Sequence, residues 1–381
     1  MSERTRAAVD VAVIGGGAIG LAIAWRAQTR GLSTIVLERD QAGRGTSRVA
    51  AGMLAPISEV SAGEEPLLTL GLRSASLYPE LAARLGGAGY RTCGTLLVAR
   101  DADEAEALER ERALRDHYGL EVQRLRPSAA RRLEPGLIPG LRLALAVPGD
   151  HAIDPRQLTA ALSAALREAG GQLHEGVAVS GVETVGGAVS GVRLATGEEL
   201  RARAVVIAAG AWSGRLDVPA GAERPSLRPV KGQILRLHDP AGPGLLTRVL
   251  RMGSSYIVPR GDGRYVIGAT SEERGFDTTV TAGAAFELLR EAGELVPGVS
   301  ELVIDEFSAG LRPGTSDNLP VIGPSRVPGL HWATGHGRGG ILLAPVTAEI
   351  VLASLLGEMS DPAYAAVSPA RLSPTAMASP A

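Results

Sequence analysis

The chain contains one cysteine, Cys93, and one lysine, Lys231. A single thiol excludes an intramolecular disulfide, a multi-cysteine metal site and a Cys-x-x-Cys redox pair, which fits a reducing cytoplasm. Aromatic residues amount to 3% and the formal net charge is -2. Neither stacking platforms nor a strong cationic field is therefore available, and no nucleic-acid partner is expected. Long apolar runs are missing too. The longest near the end, residues 340–356, is interrupted by Pro345 and Glu349 and falls short of a membrane span. The polar start, with Arg4 and Arg6, leads into a short apolar strand instead of a signal-type core. These absences lead to the expectation of a soluble, cytoplasmic protein with no membrane partner.

Of the 381 residues, 45% are hydrophobic and 21% charged, ordinary for a soluble globular protein. The length exceeds a typical single core, and about 150 residues per domain suggests two lobes. The preference for arginine over lysine, with abundant Ala, Gly and Pro, reads as a nucleotide-composition bias.

Residues 9–14 form a continuous apolar run, the mark of a parallel strand buried on both faces, and end in a glycine cluster. Residues 18–30 switch to helical spacing, with Gly31 placed to cap the end, and 33–37 is the next apolar strand. Strand, helix, strand in about thirty residues is one βαβ unit. A mixed region to about Val147 contains a charged helix over 103–117. Another helix over 155–169 is opened by Asp154 as N-cap with Pro155 at its first position. Residues 172–183, 189–194 and 204–209 read as strands that return to the first sheet. Residues 232–237, 256–259 and 265–268 suggest an antiparallel sheet in a second lobe. A last strand over 331–334, a glycine turn and a helix over about 341–355 follow, and the Pro/Ser/Ala-rich tail beyond Gly357 is expected to be mobile. No repeat of fixed period is present.

Gly15, Gly17 and Gly20 make G-x-G-x-x-G after a buried strand and at the opening of a helix, the context that gives this pattern meaning. Gly15 permits the tight turn, Gly17 the approach of a pyrophosphate to bare backbone, and Gly20 close packing of helix on strand. The helix N-terminus offers free N–H groups and a positive dipole end. Glu38 closes the second strand at the spacing of a ribose-binding carboxylate and disfavours a 2′-phosphate. The loop indicates the ADP half of a dinucleotide without separating NAD from FAD, and a glycine turn in a nucleotide-free sheet is the alternative. The segment Arg44–Arg48, followed by Ala50-Ala51-Gly52-Met53, adds hydroxyls and N–H groups suited to a second stretch of cofactor.

With Gly45-Thr46-Ser47 and Ala50-Ala51-Gly52-Met53, the sequence resembles the D-amino acid oxidase superfamily, within it the glycine oxidases of thiamine biosynthesis. The resemblance recurs at Pro229-Val230-Lys231-Gly232-Gln233, Tyr256-Ile257-Val258-Pro259-Arg260 and Gly268-Ala269-Thr270. It is strongest at 309–315 (Ala-Gly-Leu-Arg-Pro-Gly-Thr) and 335–345 (Gly-His-Gly-Arg-Gly-Gly-Ile-Leu-Leu-Ala-Pro). It implies an α/β fold: a Rossmann-like FAD-binding domain with a second, mostly antiparallel-sheet substrate domain. The FAD domain is expected from residues 1–80, 150–218 and 325–360, and the substrate domain from 81–149 and 219–324, with 361–381 as the mobile tail.

The resemblance further implies noncovalent FAD and oxidation of glycine and small amines, such as sarcosine and small D-amino acids. O2 would be reduced to H2O2, and the imine would hydrolyse to glyoxylate and ammonia. The implied catalytic residues are Arg312, pairing with the substrate carboxylate, Tyr256, hydrogen-bonding to it, and Arg338 on the cofactor-facing turn. The implied cofactor residues are Gly15, Gly17, Ala18, Ile19, Gly20, Glu38 and Arg39, then Thr46, Ser47, Ala51, Gly52 and Met53. Val179 would present its backbone to the adenine, and His336, Gly337, Gly339, Gly340, Ile341 and Leu342 would meet the isoalloxazine. A small amine substrate, O2 and a homo-oligomer, with a tetramer among its forms, complete the implied partners. No metal is expected.

The residue chemistry is compatible. An arginine fork holds a carboxylate with about 1.5 to 3 kcal/mol per charge-assisted bond, enough to orient a small substrate. Hydride transfer needs a neutral amine, a short donor distance and exclusion of water, and no dedicated nucleophile. Simpler readings stay open: Arg312 as a turn arginine, Tyr256 as a core strand residue, Arg338 as solvated, His336 as structural, and Lys231 as satisfied by a carbonyl instead of activating oxygen. Ser271 stands at a position that resembles a methionine site in better-known relatives, and Gly337 and Gly339 replace bulkier residues, so the pocket need not be restricted to glycine. Cys93 lies outside the flavin-facing motifs, against a covalent cysteinyl flavin. The rival functions are a D-amino acid or sarcosine dehydrogenase with another acceptor, a non-catalytic FAD scaffold and, least favoured, an NAD dehydrogenase.

Overall fold

The structure is a computed structural model that describes residues 8–359 and 361–372. Two eight-stranded sheets organise it. In the first, Val9–Ile14 lies between Thr34–Leu37 and Glu199–Ile207, all parallel. Leu330–Thr334 extends the sheet in parallel beyond Glu199–Ile207, and Gln172–His174 does so beyond Thr34–Leu37. Val321–Pro324 closes one edge antiparallel. The four residues of Thr34–Leu37 are all buried, which explains why the strand reads as an unbroken apolar run.

Helices cover one face of this sheet. Ala18–Thr29, Pro155–Glu168, Ala344–Leu355 and the twenty-residue Glu65–Arg84 share one core containing Leu21, Trp25, Tyr78, Leu162 and Val351. On the other face, the hairpin Val179–Val185 with Ala188–Leu194 packs against Val205, Ile207 and Trp332. Asp154 caps its helix as expected, accepting from Arg156 N–H at 2.9 Å. Gly31, at φ 87°, ends the first helix in the left-handed region that favours glycine.

The second sheet runs in the order Val303–Gly314, Arg228–His238, Arg264–Gly268, Ser255–Pro259, Val249–Met252, Thr95–Ala99, Leu143–Val147 and Gln123–Leu125. Its pairings are antiparallel except Val249–Met252 with Thr95–Ala99. Helix Ala282–Leu295 covers one face over Leu235, Ile257 and Ile267. The combination is the expected α/β fold with a mostly antiparallel second sheet.

Three local expectations are corrected. The single strand over 172–183 is two strands, because Gly176 takes φ 73° and its N–H turns away to Asp40 O at 2.9 Å. The last helix begins at Ala344, with Pro345 in its first turn, after a turn rather than at 341. The tail expected to be mobile is packed over its first part: Pro362–Val367 forms a 3-10 turn that buries Val367, and Arg371 binds Asp317 and Leu319 O. Apolar and charged anchors hold this stretch, and residues 360 and 373–381 of the tail lie outside the described residues. Among the described residues, no helix is long and apolar enough to cross a membrane.

Candidate active site

A cavity of about 320 Å³ runs from the first βαβ unit to the face of the second sheet. At its first end the wall is backbone. Gly15 has φ 110°, and a Cβ there would lie 2.5 Å from Ala208 O. Gly16 N–H donates to Glu38 Oε2 at 2.7 Å, and Asp40 N–H to Glu38 Oε1 at 2.9 Å, so the loop fixes the carboxylate at the strand end. Ser47 Oγ accepts from Ala18 N–H at 3.0 Å. The N–H groups of Gly17, Ile19 and Ile341, all at the cavity wall, find no acceptor among the described residues. Gly17 and Ile19, half-buried, open the helix, whose first N–H groups have no intrahelical partner and suit an anion, whereas Ile341 is buried, where an N–H is normally paired.

Trp212 also lines this end, on the 3-10 turn Gly210–Arg215 that follows the strand Glu199–Ile207. Its ring meets Phe276 with centroids 5.5 Å apart, Arg39 lies 4.9 Å above Trp212, and Arg215 lies 3.6 Å over Phe276. The four side chains form one contiguous group, two tilted aromatic rings with an arginine over each, in which Phe276 comes from the segment beyond Gly268 of the second sheet.

Between the ends, Gly52 takes φ 80°, with Ile153 O 2.0 Å from where a Cβ would stand. Thr46 Oγ1 donates to Leu311 O at 2.9 Å, tying the short helix Thr46–Val49 to the strand that carries Arg312. Both hydroxyls of the Thr46-Ser47 pair thus have partners within the chain.

At the far end the wall is side chain. The Arg312 guanidinium lies over Gly232, where a Cβ would stand 2.5 Å from Nη2. Its Nη1 donates to Thr270 O at 3.1 Å, leaving other donors for a ligand. Tyr256 is packed against Gly268, where a Cβ would lie 2.6 Å from the phenol oxygen. Burial pushes the phenol upward from its ordinary value while Arg312 opposes the shift, so Tyr256 stays neutral. Behind them, Thr270 Oγ1 accepts from Gln233 N–H and donates to Glu272. His336 hydrogen-bonds with Thr347 Oγ1 at 2.9 Å, and burial pushes it down to about 3, so it is neutral and structural. The carbonyls of Ile341 and Leu342 are held from behind by Tyr78 and Ser74.

The cavity wall includes Gly15, Gly17, Ala18, Ile19, Glu38, Arg39, Thr46, Ser47, Ala51, Gly52, Met53, Val179, His336, Gly337, Gly340 and Ile341 as well as Tyr256, Arg312 and Arg338. Three expected cofactor residues are placed elsewhere. Gly20 packs under Gly15 O, the Leu342 side chain is in the helical core, and Gly339 faces Leu343. Arg338 lines the cavity on the expected turn, and its Nη2 is paired within the chain, to Glu64 at 2.6 Å and to Glu59 O at 3.1 Å. Its charge closes the rim of the cavity against the segment before Glu65–Arg84. Lys231 faces away from the cavity and pairs with Asp277 at 2.8 Å, a carboxylate instead of a carbonyl. Sequence reasoning missed Glu59, which lines the cavity, and Trp212. Trp212 had a usable signal, its position just past the carboxyl end of a parallel strand.

Known proteins resemble this chain in sequence and in fold. Residues 10–354 match the model of the FAD dependent oxidoreductase family, and the chain belongs to that family. It is an FAD-dependent enzyme, and the free N–H groups of the glycine loop and the Glu38 carboxylate suit that cofactor. More particularly, it is 38% identical to a glycine oxidase of Geobacillus kaustophilus over 350 residues, 90% of this chain and 91% of that one. It is 37% identical over 362 residues to the bifunctional protein ThiO/ThiG of Trichormus variabilis, covering 93% of this chain and 53% of that protein. The chain therefore spans about half the length of that relative. The crystal structure of glycine oxidase from Geobacillus kaustophilus superimposes with a TM-score of 0.88 at 35% identity, covering 94% of this chain and 98% of that one.

Proposed function

We propose that the protein oxidises glycine and other small amines, including sarcosine and small D-amino acids, with O2 as acceptor and H2O2 as product, and that the reaction serves thiazole formation in thiamine biosynthesis. The observation that carries this reading is Arg312, a cation with unoccupied donors beside a neutral Tyr256, at the far end of a cavity whose near end suits a dinucleotide. Bound FAD supplies the two-electron acceptor. Arg312 binds the substrate carboxylate and Tyr256 donates a second hydrogen bond to it, fixing which bond of a small molecule faces the cofactor. Thr270 O holds Nη1 of Arg312, limiting its swing. The paired Arg338 and Glu64 cover the rim and limit entry of water. The bare backbone of Gly337 at the cavity wall favours a substrate range wider than glycine, whereas Ser271 is exposed and does not line the cavity. The fusion of ThiO with ThiG in one relative supports the thiamine assignment.

The test is peroxide release from the FAD-loaded protein with glycine, sarcosine and small D-amino acids, beside dye reduction without oxygen. Peroxide with glycine or sarcosine is expected. Dye reduction without peroxide would make the protein a dehydrogenase, and flavin that never bleaches with any amine would make it a scaffold. The same reading sets the enzyme in the cytoplasm, consistent with its lone, partly buried Cys93, and as a homo-oligomer. A monomeric mass by light scattering would overturn the last point.

A further inference from the structure

One wall of the cavity is backed by a group of arginines that the proposed reaction does not use. Val49, Ala50 and Ala51 line the cavity. On their outer side, Arg236 Nη2 donates to the carbonyls of Arg48, Val49 and Ala50 at 2.8, 3.4 and 3.3 Å. Arg260 Nη2 donates to Ala51 O at 2.7 Å and its Nη1 to Ile153 O at 3.0 Å. Arg156 Nε reaches Arg48 O at 3.2 Å. Carbonyl oxygens of four consecutive residues are thus turned outward into guanidinium groups.

The charges do not cancel. Arg48, Arg156, Arg236 and Arg260 face two carboxylates, Glu306 and Asp154. Glu306 binds Arg156 at 2.7 Å and Arg48 at 3.7 Å, while Asp154 is engaged as the cap of its helix. Arg236 and Arg260 have no carboxylate of their own, and their buried Nε atoms have no acceptor among the described residues. Burial pushes both guanidinium groups down to about 10, so both remain charged at neutral pH. Burying cation in excess of anion costs stability, and such arrangements concentrate at functional sites.

We propose that Arg236 and Arg260 are positioning residues that also act electrostatically. They fix the 48–51 segment with its carbonyls outward and hold net positive charge behind the cavity wall, stabilising a bound flavin when its ring gains negative charge. Accepting a hydride, two electrons and one proton, from an amine leaves the ring one unit more negative until a proton arrives. A fixed positive wall favours that state without reorganising at the moment of transfer. The proposal rests on FAD binding and not on the amine specificity, so its test uses no amine.

The probe is sulfite, whose adduct places one negative charge on the flavin ring, with affinity read from flavin absorbance, alongside the midpoint potential of the bound FAD. Arg236→Gln keeps a donor for the carbonyls and removes the charge. It is expected to weaken sulfite binding by up to roughly tenfold, the order expected for loss of one unit charge at an effective dielectric of about 20, and to lower the potential. Arg236→Lys should stay near the parent protein. Glu306→Gln, which removes an anion from the same group, should act in the opposite direction, tightening sulfite and raising the potential. Equal changes in Arg236→Gln and Arg236→Lys, no change in either, or loosened sulfite in Glu306→Gln would overturn the proposal. If Arg236→Gln does not retain FAD, the sign of the Glu306→Gln effect decides alone.

Discussion

The two ends of the cavity are built from different material. At the glycine loop the wall is main chain: N–H groups of Gly17 and Ile19, the turn at Gly15, and a carboxylate held by two backbone donors. At Arg312 it is side chain, seated on the bare backbone of Gly232 and Gly268. Backbone groups give an end that recognises a common shape, a phosphate at a helix start, and depends on conformation more than on residue identity. Side chains give an end in which one group sets what is bound. Glycine is required at both ends for different reasons, left-handed backbone at Gly15 and space for a neighbour's side chain at Gly232.

That contrast predicts a graded set of failures. The largest is expected for Gly15→Ala, which places a methyl 2.5 Å from Ala208 O on backbone at φ 110°. The purified protein should be colourless, and a yellow protein with ordinary flavin content would erase the distinction between the ends. Next is Arg312→Ala, which should leave the flavin spectrum intact and weaken amino acid binding about 10- to 100-fold, the scale of a lost charge-assisted contact of 1.5–3 kcal/mol. Unchanged apparent affinity would refute the carboxylate role. The smallest is Phe276→Ala. Its aromatic contact with Trp212 is worth about 0.5–1.5 kcal/mol, so FAD should dissociate roughly 3- to 10-fold more readily, measured by the rise in flavin fluorescence on dilution. An unaltered release would mean that the second sheet plays no part in holding the near end.

The same contrast explains what was legible in the sequence. The glycine loop and its carboxylate use consecutive residues from Val9 to Glu38, so spacing alone displays the strand, turn, helix and carboxylate. Tyr256 and Arg312 carry no local signature, since each reads as a strand or turn residue, and only resemblance to a family singles them out. Arg236 and Arg260 are less visible still. Arg236 alternates with Leu235 and Leu237 as an exposed strand residue would, and only the packing of the 48–51 segment over that face reveals its partners. Gly176, read as an interior strand glycine, breaks the strand because its N–H has an acceptor at Asp40 on a neighbouring loop. Arg338 looked free among glycines because Glu64, the group that neutralises it, lies 274 residues earlier.

The order of strands in the first sheet has a consequence for biosynthesis. Val9–Ile14 pairs with Glu199–Ile207, which pairs in turn with Leu330–Thr334, and the helix Ala344–Leu355 packs on Ala18–Thr29. Val9–Ile14 can meet Thr34–Leu37 soon after both are made, but its other neighbour is translated nearly two hundred residues later and the strand beyond that more than a hundred residues later still, and such distant contacts form slowly. The glycine loop is complete as sequence by Gly20, yet Ile341 joins its cavity only after more than three hundred further residues have been translated. The complete cavity is thus assembled late in translation, and FAD is expected to be captured only after that point.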